Sequence, residues 1–247
     1  MRQALVLITL LAAAPATPSG PAATEEPLPY EPTSAYAVRT VEGWTVRVHN
    51  RLLGQQKDLG DRTLRLLEAK LYEVNRMLPQ AALDKLHGVP IWVEAASTQV
   101  KGLCYHPSGG WLRAHGFNPD KARSVEIGNP KAFGDWTHHQ PAMVLHELAH
   151  AYHHQVLGYG NSDVKAAYEH AVEGKLYESV LYWDGTRKRA YAMNNDQEYF
   201  AELSEAYFGT NDIYPFVRAE VREHDPEGYR MLRKVWGGKP AAAPPAP

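Results

Sequence analysis

The chain has 247 residues, a formal net charge of −2 and one cysteine, Cys104. That length suits a single domain with flanking segments. The near-neutral charge and the lack of a dense basic stripe disfavour nucleic acid as a partner, and a lone cysteine excludes an intrachain disulfide and a cysteine-rich zinc site. Cys104 reads as a small buried apolar residue, and Arg187-Lys188-Arg189 as a solvated turn.

The first sixteen residues carry Arg2, an apolar run from Ala4 to Ala14, and Ala14-Pro15-Ala16. This is the pattern of a secretory signal peptide, residues 1–16, cut after Ala16. The run is too short to span a bilayer, and no later segment is apolar enough, so no stable membrane insertion is expected. Export with one cysteine points to a secreted or periplasmic protein of a bacterium. Residues 17–34 and 237–247 are rich in Pro and Ala and read as linker and tail, leaving 35–236 as the folded domain.

Within that domain, Tyr36–Asn50 predicts a hairpin. Glu42-Gly43 is the turn, and Trp44, Val46 and Val48 alternate with an outward set that includes His49. Asp58–Leu78 predicts a long helix with Leu64, Leu67, Leu71, Val74 and Leu78 in one stripe. A short helix over Gln80–Leu86 and a strand over Val89–Val93 follow. Lys101–Phe117 reads as a loop and Ser124–Ile127 as a short strand. The order of elements gives an α+β class, with a small mixed sheet and a mainly helical C-terminal half.

Pro141–His154 contains His146, Glu147 and His150 as H-E-x-x-H. Residues four apart on a helix share a face, so both imidazoles can grip one metal ion. Glu147 then projects beside the ion, where a base must sit to take a proton from a water activated by the metal. Pro141 suits the first turn, and Gly158 and Gly160 mark the end. Trp136, His138 and His139 lead in, and His153 and His154 follow on, as packed or surface residues. Asn161 or Ser162 caps a second helix expected to run to about Trp183, where Asp184-Gly185 turns the chain. Asn194 or Asn195 caps a third helix carrying Glu198 and Glu202. Short helices are expected from Asn211 or Asp212 with Pro215, and from Asp225-Pro226.

A catalytic zinc site takes three protein ligands and keeps one position open. Glu198 and Glu202 are the downstream carboxylates set in an otherwise apolar, capped helix, where a charge is costly unless paired or bound to metal. Asp212, in Gly209-Thr210-Asn211-Asp212, is a further candidate, since that tetrad also matches an aspzincin motif.

The set His146-Glu147-x-x-His150 with Glu198-Tyr199-Phe200-Ala201-Glu202, preceded by Tyr191 and Asn195, resembles the gluzincin zinc peptidases, in particular the catalytic domain of the anthrax lethal factor type. The resemblance covers about Ala142–Phe208. It implies a zincin-like fold and one Zn2+ per chain held by His146, His150 and Glu198. It further implies that Tyr191 donates to the developing oxyanion and that Glu202 orients a ligand histidine from outside. By the same analogy, the strand Ser124, Val125, Glu126 and Ile127 binds an extended peptide or protein substrate by strand addition. The expected activity is zinc-dependent hydrolysis of peptide bonds with Glu147 as general base. A zinc hydrolase of a non-peptide amide and a catalytically silent binding module are the alternatives.

Overall fold

A computed structural model describes residues 30–97 and 99–237. The expected signal peptide lies outside the described residues, as do residues 17–29 of the linker and 238–247 of the tail. The last linker residues are held in place, since the Asn118 amide donates to the Glu31 carbonyl and to Thr33 Oγ1, each at 3.2 Å.

The hairpin forms as its residues predict, from β1 (Tyr36–Val41) and β2 (Trp44–His49). Its two-residue turn needs positive φ at both positions, and Glu42 and Gly43 supply +50° and +96°. That mirror-image turn matches the natural twist of paired strands. A short helix α1 (Asn50–Leu53) leads into α2 (Lys57–Met77), whose Leu67, Leu71 and Val74 are buried in the core. Cutting one of these leucines to alanine costs about 2–5 kcal/mol. Then come α3 (Gln80–Leu86) and β3 (Ile91–Val93).

The segment expected to be a loop, Lys101–Phe117, instead contains β4 (Leu103–His106) and α4 (Gly109–Ala114), the latter capped by the Ser108 hydroxyl on Trp111 N–H. Four residues, Leu-Cys-Tyr-His, show no clean alternation, and only pairing across the sheet makes them a strand. β5 (Ser124–Ile127) and α5 (Pro130–Trp136), capped by Asn129, follow.

The motif helix is α6 (Met143–Tyr152). It widens into a π-helical turn over His153–Leu157 and stops at Gly158, whose φ is +78°. Asn161 caps α7 (Ser162–Glu173). This helix is shorter than expected because Gly174 and Lys175 (φ +53°) break it, and Val172 is exposed. The chain beyond forms a small hairpin around Asp184-Gly185, β6 (Val180–Leu181) with β7 (Arg187–Lys188), so the basic triplet is mostly strand. Asn195 caps α8 (Asp196–Phe208). The next helix, α9 (Arg218–His224), begins several residues later than expected, because Asn211–Phe216 is irregular and Ile213 bridges back to Tyr182. Asp225 caps α10 (Pro226–Val235) through Gly228 N–H at 2.8 Å.

The main sheet runs β1-β2-β3-β5-β4. β2, β3 and β5 are parallel, and the outer pairs are antiparallel. The register aligns Val46, Ile91 and Val125, then Val48, Val93 and Ile127, on one face. These residues are buried with α2, α3 and α6 in the core. The opposite face carries Arg47, Trp92, Glu126 and Cys104 in one row. His49 was expected at the surface, but it is buried there, edge-on to Tyr36, with Nδ1 accepting from Arg51 N–H at 3.1 Å. Among the described residues, no helix is long and apolar enough to cross a membrane.

Candidate metal centre

α6 puts His146 and His150 one turn apart, and α8 packs directly against α6. The Asn195 side chain caps α8 by accepting from Gln197 and Glu198 N–H, which fixes the first turn and presents Glu198 to the histidines. Glu198 Oε2 lies 3.3 Å from His146 Nε2 and 3.2 Å from His150 Nε2, and the two Nε2 atoms are 3.1 Å apart. Three lone-pair atoms thus form a near-equilateral triangle. Ligands held at 2.0–2.1 Å around a tetrahedral ion are about 3.3 Å apart, so the donor set and its spacing fit zinc.

The charges fit as well. Burial would raise the Glu198 carboxyl, but hydrogen bonds from His146 and His150 hold it down at about 2, so it stays ionised. Burial also works against charge on His146, but Glu198 and Glu205 outweigh it and hold its pKa well above the usual value. This carboxylate cage favours a cation at the Nε2 position, and a proton and a metal ion compete for the same lone pair. Among the described residues, Glu198, Glu202 and Glu205 have no Lys or Arg ion pair.

The partner that orients His146 is Glu205, whose Oε1 meets His146 Nδ1 at 2.7 Å. Glu202, expected in that role, instead accepts from Asn211 Nδ2 at 3.1 Å. Glu198 to Glu205 is seven residues, two turns along one face of α8, whereas Glu202 is a single turn away. Burial lifts the Glu202 carboxyl to about 8, helped by the neighbouring Glu205, which keeps it protonated near neutrality.

A cavity of about 560 Å3 opens over the triangle. Half-buried Glu147 lines it beside His146 and His150. Tyr191 lines it too, 56 % exposed, and the Glu198 charge, with some burial, raises its phenol and keeps the hydroxyl protonated. Asp212 reaches the same cavity but stands outside the ligand triangle, and burial raises its carboxyl.

The flanking histidines are spread around the site. His154 Nδ1 bonds the Tyr105 hydroxyl at 2.8 Å, His139 stacks on Trp183, and His138 is exposed. His153 is fully buried with no hydrogen-bond partner on either nitrogen, and burial pushes its pKa down to about 4.

The strand expected to receive substrate, Ser124–Ile127, cannot do so. β5 pairs with β3 on one side and β4 on the other, and all four residues are buried. The free edge beside the cavity belongs to β4, whose Leu103, Cys104 and Tyr105 line it. Gly128 N–H donates to the Gly102 carbonyl at 2.8 Å. Antiparallel alternation from that bond turns the backbone amides of Leu103 and Tyr105 toward the open edge.

A second cluster sits on the far face of the sheet. His106 Nε2 contacts Glu126 Oε2 at 2.6 Å and Cys104 Sγ at 3.4 Å. Lys121 Nζ pairs with Glu126 Oε1 at 3.0 Å and with Glu94, which also accepts from Tyr36. Its geometry is that of a closed ion-pair network. His106 meets Glu126 at 2.6 Å, and the two carboxylates share the Lys121 cation. Burial would raise Glu126, yet His106 and Lys121 hold it below the ordinary range. Burial and nearby carboxylates raise the Cys104 thiol; expected as a buried apolar residue, it is only partly buried and lines the cavity.

No protein-family model, curated protein or solved structure matches this chain.

Proposed function

We propose that the chain is an exported zinc-dependent peptidase with a zincin-like fold of the gluzincin kind. One observation carries the reading: three metal-ligand atoms, 3.1–3.3 Å apart, lie beneath an open cavity that a free strand edge borders. His146, His150 and Glu198 would hold the ion. Zinc bound there supplies Lewis acidity toward a carbonyl and toward water.

The chain's own residues do the rest. Glu205 fixes the His146 ring through Nδ1, so Nε2 faces the cavity. The backbone of Leu103 and Tyr105 on β4 pairs with an extended peptide and sets its carbonyl over the cavity floor. Glu147 takes the proton from the attacking water and passes it to the leaving amine. Tyr191 donates its hydroxyl hydrogen to the carbonyl oxygen as negative charge gathers there.

Elemental analysis of dialysed protein, with Glu198→Ala beside it, tests the ligand set. About one zinc per chain is expected in the wild type and loss in the variant, and a variant that holds zinc as tightly as the wild type would place the third ligand elsewhere. Glu147→Gln should keep its zinc and lose turnover of an unfolded protein substrate. Retained turnover removes Glu147 as the base.

A further inference from the structure

The cavity over the candidate metal centre continues past β4 into a second hollow of about 690 Å3, with Leu103, Cys104, Tyr105, Pro107 and Trp136 as shared walls. The two hollows meet at the edge of β4 but lie toward different faces of the strand. Tyr105 turns toward α6 and reaches His154, whereas Cys104 and His106 stand on the opposite face with Glu126. The far hollow is walled by Val100, Trp111, Leu112, Phe117 and Trp136. Trp111 is 51 % exposed and Trp136 38 %. Among the described residues no carboxylate lines the hollow; Lys101 is its charged wall, and His106 is taken up by Glu126. The six-membered ring of Trp136 packs so close to Gly102 that there is no room there for a Cβ.

A peptide added to β4 alternates its side chains between the two faces of the sheet. Side chains on the α6 face meet the metal-centre cavity, and their sequence neighbours fall on the other face. We propose that the far hollow is a specificity pocket that takes a large apolar, preferentially aromatic, side chain of the peptide lying on β4. The proposal rests on the peptidase reading and adds the substrate class that this site selects. Its aromatic walls suit such a side chain, and its volume leaves room for the largest of them.

The test uses zinc-loaded full-length protein and a library of proteome-derived peptides, with cleavage sites read by mass spectrometry. Phe, Tyr, Trp, Leu or Met should recur at one fixed position relative to the cut bond. For a matched pair of peptides differing only as Phe or Ala there, the Phe-to-Ala ratio of kcat/KM should fall about tenfold in Trp111→Ala and recover in Trp111→Phe. A second readout is binding of the same pair, fluorescein-labelled, to Glu147→Gln, with the Phe peptide tighter and the difference lost when Trp111→Ala is added. Cleavage without a fixed apolar position, or a preference untouched by Trp111→Ala, overturns the pocket and leaves the peptidase reading intact. No cleavage, together with selective binding of the Phe peptide, overturns the peptidase reading and keeps the pocket. Neither cleavage nor selective binding overturns both.

Discussion

On one side of the sheet, His146, His150 and Glu198 point three lone pairs at a common centre, surrounded by further carboxylates and no Lys or Arg ion pair among the described residues. On the other side, Cys104, His106 and Glu126 bring together nearly the same residue types, but Lys121 sits between Glu94 and Glu126 and His106 gives Glu126 a 2.6 Å hydrogen bond. Residue type does not separate the two clusters. Charge closure does. A buried carboxylate is tolerable only with a counter-charge. The second cluster has a lysine, shared by Glu94 and Glu126, whereas the first has only imidazoles to balance its carboxylates.

The largest way to break this comparison is to remove the internal cation. Lys121→Met strands two buried carboxylates and should lower the unfolding free energy by about 3–5 kcal/mol in urea, with zinc content unchanged. Loss of zinc in that variant would mean the two clusters are not independent. His153 is a third case, a buried imidazole with no hydrogen-bond partner among the described residues. Its pKa falls from 6.5 to about 4 on folding. Between those values the unfolded chain holds the proton and the folded chain does not, so stability falls as pH drops through that window and is unaffected above it. The full penalty is about 3 kcal/mol below pH 4. His153→Phe should therefore flatten the acid side of the stability curve, measured in chelator so that metal release does not contribute. An unchanged slope would show that His153 is solvated or paired.

Two smaller effects sharpen the contrast. Glu205→Gln should weaken zinc binding about 10–100-fold by loosening His146, and Glu202→Gln should weaken it less, as read by competition with a chromogenic chelator. Equal effects would return Glu202 to the role first expected of it. Cys104→Ser should leave zinc content unchanged and alter stability by about 0.5 kcal/mol or less. A drop in bound metal would make the second cluster a metal site after all.

Local signals were readable in the sequence. The Asn161, Asn195 and Asp225 caps, the α2 stripe and the histidine spacing of α6 all depend on neighbours within one or two turns, and each lies where its residues place it. Apart from α7, which Gly174 and Lys175 end early, the misses depend on what lies across space. β5 was visible as a strand, but its interior position depends on β4, four residues whose pairing no local pattern reveals. His49 alternates outward as expected, yet Tyr36 packs over it. Glu205 could have been found, since Glu198 and Glu205 are seven apart in a helix whose remaining face is apolar. Choosing it over Glu202 requires knowing the depth at which α8 crosses α6.

Asp225 accepts hydrogen bonds from Tyr177 and from Tyr199 of α8, and Trp236 Nε1 donates to Ser204 of α8 at 3.0 Å. The Tyr152 hydroxyl at the end of α6 donates to the Val235 carbonyl, and its ring stacks on Trp236. Both helices that carry the triangle are therefore fastened by α10, the last helix among the described residues. During synthesis, which runs from the amino end, α10 leaves the ribosome after α6 and α8. A chain made only as far as α8 already contains His146, His150 and Glu198 but lacks the contacts that fasten α6 and α8, so the geometry of the triangle is set only once α10 has been made.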